Sequence, residues 1–462
     1  MRTIRILQEH VRISDPHITS DNADRLSILG NVFDPLIRIR DDGSFDPCLA
    51  TAWTLSNDAR TWSFTLRDDV SFHDGSVFTS DDVIFSLRRM RDEDIEGELG
   101  TSGVIQGYLS GCEIEKEGPR QVILTTPEPM ADLADLLCEI PILSETSVAS
   151  LPEGFVGTGK YRIEDASSRC VIMHSDDTRL IFRSEPDCKI RLQELKEGFA
   201  DIAAKLAPAQ SSAPGVNVLR STTSVCATFM FNLAREEARN PHLRRAINLA
   251  VDVDALVQDV MHGAADVLTG PLTRRHLGFD PEVPAWTFDP QAARNALQEG
   301  GVPEGWKVEM DIPSVLPDEA PQLANRIAGY LADVGLDAVI NIDENRPRYA
   351  TRVRDGDIGE MACFDSSPAS TFRVYREKFH SGFAGPWWLG YANLDFDALL
   401  DRGRSTSDLS IRQSLYRQAY RMLRDDAPWL FLYNPVRLTA TSTSFADAWG
   451  DWHPSTGGHL LF

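Results

Sequence analysis

Between residues 49 and 89 the apolar positions change from a period of two to helical spacing, with turn residues marking each change. Trp53 and Leu55, then Trp62, Phe64 and Leu66, alternate with polar neighbours, which predicts two half-buried strands. Ser56, Asn57 and Asp58 between them are residues that tolerate turn geometry. Val70 and Phe72 extend the apolar face, and His73-Asp74-Gly75 turns the chain again. Thr79 is placed to cap a helix, with Asp81 and Asp82 in its first turn, where the helix dipole favours negative charge. Val83, Ile84, Phe85 and Leu87 form the buried side of that helix, and Arg88 and Arg89 suit its end.

The same reading carries through the chain. Residues 3–7 alternate as a first strand, and the loop Ser14-Asp15-Pro16-His17 follows. Leu26, Leu29, Val32 and Phe33 form a helical stripe that Asp34-Pro35 ends, and a strand restarts at 36–39. Residues 121–125 predict a strand and 133–137 an apolar helix. Residues 154–161 nearly spell a phosphate-binding loop, but Tyr161 stands where a magnesium-binding hydroxyl is needed. Residues 150–153 before it are loop-like and 161–163 after it strand-like, so the nucleotide reading fails. Leu243, Ile247 and Ala250 share one helical face, and Asp289 with Pro290 starts another helix that Gly300-Gly301 closes. A strand at 306–310, a helix at 320–334 and a strand at 338–340 imply a mainly parallel α/β region. Helices follow at 397–401 and 412–423, and the apolar run 429–433 reads as a strand buried on both faces.

Composition narrows the classes. A chain of 462 residues predicts roughly three folding units. Its net charge of −23 argues against binding to nucleic acid or an anionic membrane surface. No stretch reaches the length of a transmembrane helix. Residues 1–20 lack an apolar core and a small-residue cleavage site, which leaves two expectations: a leader already removed, or a protein that stays in the cytoplasm. The seven cysteines are scattered without a C-x-x-C pair, so buried free thiols are expected, and their odd number leans toward a reducing compartment.

Leu49-Ala50 with Trp53, then Leu66-Arg67, Val70, Phe72-His73-Asp74-Gly75, Thr79, Asp82-Val83 and Phe85-Ser86-Leu87 together resemble the signature of the family 5 extracellular solute-binding proteins of ABC importers. Gly157-Thr158-Gly159 with Tyr161, Gly198 with Asp201-Ile202-Ala203, and Arg244 to Asp252 resemble further elements of the family. The resemblance implies an α/β, two-lobed periplasmic-binding-protein-like fold (type II, cluster C) with a small domain inserted in the first lobe. It divides the chain into residues 1–40 and 160–230 of lobe I, an inserted domain at 41–159, lobe II at 231–429, and a return to lobe I at 430–462. The strands at 229–231 and 429–433 are then crossovers, and the C-terminal Trp449 and Trp452 pack on lobe I. The implied function is capture of a small solute by hinge closure and delivery to ABC transporter permease subunits. A short peptide or amino-acid-derived compound comes first, ahead of metal chelates, opines and sugars. A periplasmic, monomeric protein is implied, with no nucleic-acid partner. The alternative is a cytoplasmic ligand sensor or interaction protein that reuses the same fold.

Candidate binding residues follow from the same resemblance. Asp365, at the end of an expected strand 359–364, stands where peptide-binding relatives pair a carboxylate with the ligand's α-amino group. The other reading is that Asp365 caps the next turn, ahead of Ser366, Ser367 and Pro368. Relatives carry a Trp three residues earlier, where this chain has Ala362, so Phe364, Trp387, Trp388 and Tyr391 are aromatic-wall candidates, or else core. His17 and Asn232 are further candidates for ligand contact. No residues have zinc-like spacing and no nucleophile context is recognisable, so neither metal, cofactor nor catalytic residue is expected.

Overall fold

The computed structural model describes residues 1–462 except 19, 21, 41–42, 96, 98–102, 152–153, 316 and 451. The expected domain boundary at 41 and the loop residues Pro152 and Glu153 lie outside the described residues. The chain forms two compact units, Met1–Thr222 with Arg437–Phe462, and Thr223–Val436.

The first unit is built on a seven-stranded sheet. In order its strands are Asn217–Ser221, Arg437–Thr441, Ile202–Ala203, Arg2–Gln8, Thr178–Ser184, Cys170–His174 and Arg162–Ala166. Arg2–Gln8 is parallel to both of its neighbours, and the remaining pairs are antiparallel. Ile4, Ile6, Val171, Met173, Leu180 and Phe182 fill one core, joined by Phe445 and Leu460 from the C-terminal segment. There Phe445, Trp449, Trp452 and Phe462 stack edge and face.

The signature stretch forms a separate four-stranded antiparallel sheet in this unit. Ala50–Leu55, Thr61–Leu66, Gln121–Thr125 and Glu113–Lys116 pair in that order. The helix after it runs from Ser80 to Asp92, three residues past Arg89, and is capped as its sequence predicts. The Thr79 side chain accepts from Asp81 N, and the Asp82 carboxylate accepts from Thr79 N at 2.8 Å, a reciprocal capping box. His73 does more than turn the chain. Its Nε2 lies 2.7 Å from Gly159 O, and its backbone N donates to Gly157 O at 2.9 Å. Gly157 and Gly159 press against the carbonyls of Val32 and Asn31, leaving no room for a Cβ. The P-loop-like run is thus a close-packed crossing, with the strand Arg162–Ala166 after it.

The second unit holds a six-stranded sheet in the order Ala265–Val267, Trp429–Pro435, Cys226–Phe231, Met361–Ser366, Trp306–Pro313 and Leu336–Asp343. The expectation of a mainly parallel sheet is corrected. Two pairings are parallel and three antiparallel. Trp306–Pro313, Leu336–Asp343 and Met361–Ser366 are linked by the helices Ala320–Asp333 and Arg346–Arg354, and such crossovers impose parallel strands. Cys226–Phe231 runs against both of its neighbours, and a local window cannot register that direction. The unit boundaries also move. Both expected crossover strands, including Cys226–Phe231 and Trp429–Pro435, lie wholly inside this sheet, so the divisions fall at Thr222/Thr223 and Val436/Arg437 rather than near 230 and 430.

All seven cysteines are free, with Cys112, Cys226 and Cys363 buried. Among the described residues no helix is long and apolar enough to cross a membrane.

Candidate binding site of the second unit

Four strands of the six-stranded sheet, Trp306–Pro313, Leu336–Asp343, Met361–Ser366 and Trp429–Pro435, end on one edge, where Cys226–Phe231 begins. In open α/β sheets the loops at carboxyl ends gather ligand-binding groups, because crossover helices start there and leave their polar ends exposed. Asp365 lies on this edge. It is inside the strand Met361–Ser366, opposite Ala227, rather than in a turn after it. The next helix, Thr371–Phe379, is capped by Ser370, whose Oγ accepts from Arg373 N at 3.2 Å.

Strand alternation sends Asp365 and Cys363 to one face and Phe364 and Ser366 to the other. On the first face two acidic groups converge. Burial raises the Cys363 thiol well above its ordinary range, and the charges of Asp365 and Glu319 raise it further. Burial also raises the Tyr433 phenol, again with Glu319 and Asp365 adding to it, and Tyr433 Oη lies 3.2 Å from Glu319 Oε1. Burial is the leading cause for both groups, and at Cys363 the Arg346 charge opposes the two carboxylates.

On the other face Phe364 packs against Trp387 with ring centroids 4.6 Å apart. The Arg346 guanidinium lies 5.8 Å from the Phe364 centroid and 5.6 Å from that of Tyr349, within cation–π range. Trp387 has φ of +72°, a left-handed conformation costly for a large side chain, and it is buried. Ala362, two residues before Phe364 on the same face, is fully buried between Met230 and Asp311. It is core in this chain.

Asn232 and Tyr391 lie away from this edge. Asn232 follows the far end of Cys226–Phe231, roughly 17 Å along the strand from the Cys226 end. Its Nδ2 donates to Gly356 O and Ile358 O, both at 3.2 Å, and its Oδ1 accepts from Ala234 N. Tyr391 is near that far end as well, since Gly390 crosses closely over Leu233 and Ala234. Tyr391 Oη donates to Asp426 Oδ2 at 2.6 Å, and burial with that bond pushes the phenol's ionisation far upward. Trp388 Nε1 donates to Tyr391 O at 2.8 Å. His17 belongs to the first unit and is buried. Its Nε2 is 2.9 Å from Pro141 O and its Nδ1 is 2.9 Å from Arg89 Nη1, while Arg89 also pairs with Asp15. Burial and the Arg89 charge bring the imidazole down to about 4, with its bond to Pro141 and the Asp15 charge opposing them. Both ring nitrogens are engaged, so His17 is a tie between the loop, the signature helix and residue 141.

Glu319, Arg346 and Tyr433 escape the sequence reading. Their signal was positional: Glu319 and Arg346 follow the ends of two strands predicted to be parallel, where ligand groups collect. A polar recess of about 470 Å³ in the first unit contains no candidate residue. Its charges are paired within it, Arg38 with Asp34 at 2.5 Å and Arg67 with Asp69 at 2.6 Å, and Thr158 donates to Asp34 at 3.0 Å. Among the described residues no three His, Cys, Asp or Glu side chains are grouped to hold a metal.

Comparison with known proteins gives this geometry a family. Residues 44–361 match the family model described as "Bacterial extracellular solute-binding proteins, family 5 Middle". Heme-binding protein A of Haemophilus influenzae is 26% identical over 461 residues, covering 89% of this chain and 83% of that protein. The dipeptide-binding protein of Escherichia coli K12 is 25% identical over 447 residues, covering 85% and 82%. The solved structure of HbpA2 from Haemophilus parasuis, 22% identical, superposes with a TM-score of 0.83 and covers 96% of each chain. The fold is that of the periplasmic binding proteins. This chain belongs to the family 5 bacterial extracellular solute-binding proteins, the binding components of ABC importers.

Proposed function

We propose that this protein captures a short peptide or another small amino-acid-derived solute outside the cytoplasm and hands it, as a monomer, to the permease of an ABC importer. The family match over residues 44–361 carries the reading, and the dipeptide-binding relative suggests the solute class. Asp365 receives the solute's ammonium group. The Asp365 and Glu319 carboxylates at this strand end support a cationic group there. A charge-assisted hydrogen bond there is worth about 1.5–3 kcal/mol net. Phe364 and Trp387 supply an apolar wall for a side chain, whereas the polar groups of His17, Asn232 and Tyr391 are held by the protein's own hydrogen bonds.

Mass spectrometry of solutes released from protein purified under native conditions tests the class. Small amino-bearing compounds are expected, and a bound compound with no amino group would overturn the reading. Calorimetry tests the residue. Asp365→Asn is expected to weaken a bound dipeptide about tenfold, on the order of 1.4 kcal/mol. Unchanged affinity removes Asp365 from the contact.

A further inference from the structure

The loop at residues 14–17 follows the carboxyl end of the strand Arg2–Gln8, which is parallel to both of its neighbours. Loops at such an edge collect ligand-binding groups, so what fixes this loop shapes the first unit's own edge. Two arginines hold it. Arg25, from the helix Ala23–Val32, donates to Ser14 Oγ at 3.1 Å, Ile18 O at 3.0 Å and Asp15 O at 2.6 Å. Arg89, from the signature helix Ser80–Asp92, donates to Asp15 Oδ1 at 3.0 Å and also pairs with Asp15 Oδ2. Its Nη1 lies 2.9 Å from His17 Nδ1, and His17 N donates to Asp15 Oδ1 at 3.0 Å. These contacts close a ring of hydrogen bonds through Asp15, Arg89 and His17.

The ring fixes where the imidazole carries its proton. A guanidinium has no acceptor, so the Nδ1 that faces Arg89 Nη1 must offer its lone pair. A carbonyl has no donor, so the Nε2 that lies 2.9 Å from Pro141 O must carry the hydrogen. The imidazole is therefore neutral, in keeping with its 2% exposure. A proton added at Nδ1 would set N–H against N–H and place a second cation beside Arg89. The charged groups facing the imidazole are Arg89 and Asp15, and Glu93 Oε2 lies 3.1 Å from Arg89 Nε. Arg89 already engages both oxygens of Asp15, which leaves that carboxylate committed.

We propose that His17 is a proton-operated latch. Neutral, it couples the loop at 14–17 to the signature helix through Arg89. Protonated, it turns out of the ring and uncouples the two, while Arg25 keeps the loop on its own helix and the unit stays folded. The latch does not depend on the solute class proposed above.

Nitrogen-15 NMR of the imidazole reads the tautomer. At neutral pH the proton is expected on Nε2 with Nδ1 bare, and a proton on Nδ1 overturns the latch. Amide hydrogen exchange, corrected for its intrinsic pH dependence, reads the release. Between neutral pH and about 4, the His17 and Ile18 amides should lose about tenfold in protection while those of Arg2–Gln8 keep theirs. Unchanged protection at 17 and 18, or an equal loss in the strand, counts against the latch and overturns it. His17→Gln separates titration from packing. Its Oε1 accepts and its Nε2 donates, as the neutral imidazole does, yet the amide takes up no proton in this range. The variant is expected to keep the loop protected into acid. An acid step as large as that of wild type assigns the release to another group and sinks the latch. If His17→Gln does not fold, the wild-type tautomer and exchange still decide.

Discussion

Asp365 and Phe364 are adjacent in sequence yet serve opposite faces of a strand, and the candidate site depends on that alternation. The resemblance singled out Asp365, and its place on the strand edge follows from pairing with Ala227. Glycines 157 and 159 make a comparable point, since their spacing resembled a phosphate loop while their backbone packs against Asn31 and Val32. A Cβ at 159 would come within 2.6 Å of Asn31 O and 2.7 Å of Val32 C. Gly159→Ala is therefore expected to destabilise the protein by about 1–3 kcal/mol, read from the denaturant midpoint. A variant as stable as wild type would show that the crossing can relax. Lys378 also titrates unusually, its burial and the nearby Arg373 charge bringing it down to about 8 from 10.5. A lysine lowered in the fold weakens the fold below that value, and the cost is relieved as pH rises from about 8 toward 10.5.

At the scale of elements, the signature helix is the most legible part of the chain. Thr79, Asp81, Asp82 and the apolar run after them predicted its start, and the capping box forms as that pattern requires. Thr79→Ala is expected to cost about 1 kcal/mol, seen as a lower denaturant midpoint with an unchanged slope. No shift would mean that tertiary packing alone holds the helix start. The helix end was less legible. Arg88 and Arg89 suggested a stop, but Arg89 is recruited by Asp15, His17 and Glu93, and the helix continues to Asp92. Likewise the parallel strand–helix–strand succession from 306 to 366 was readable from its spacing, whereas the opposing direction of Cys226–Phe231 was not. Period and caps lie in short windows, but strand direction depends on partners more than a hundred residues away.

For the whole molecule, acid is the condition to examine. Each unit buries a neutral histidine, His17 in the first and His276 in the second, and burial brings both down to about 4 from 6.5. Between those values the unfolded chain binds more protons than the folded one. The stabilisation is therefore complete above about 6.5 and is lost as pH falls toward 4. For His276 the loss is on the order of 3 kcal/mol. Denaturation midpoints measured across this range should fall with pH, and His276→Asn should flatten part of the fall. A wild-type midpoint that stays level from 6.5 to 4 would refute the linkage.

The sequence by itself determined the family, the element types and most of their starts, because apolar period, caps and turn residues act over a few neighbouring positions. It also supplied Asp365, through resemblance, and the pairing of Phe364 with an aromatic wall was within its reach. Only the tertiary structure decided which candidates meet. It separated Asn232 and Tyr391 from Asp365 by the length of a strand, locked His17 into a different unit, and brought Glu319, Arg346 and Tyr433 to the edge they share. Strand order and register are set by burial and backbone pairing across distant segments, and those long-range choices decide which side chains share a site.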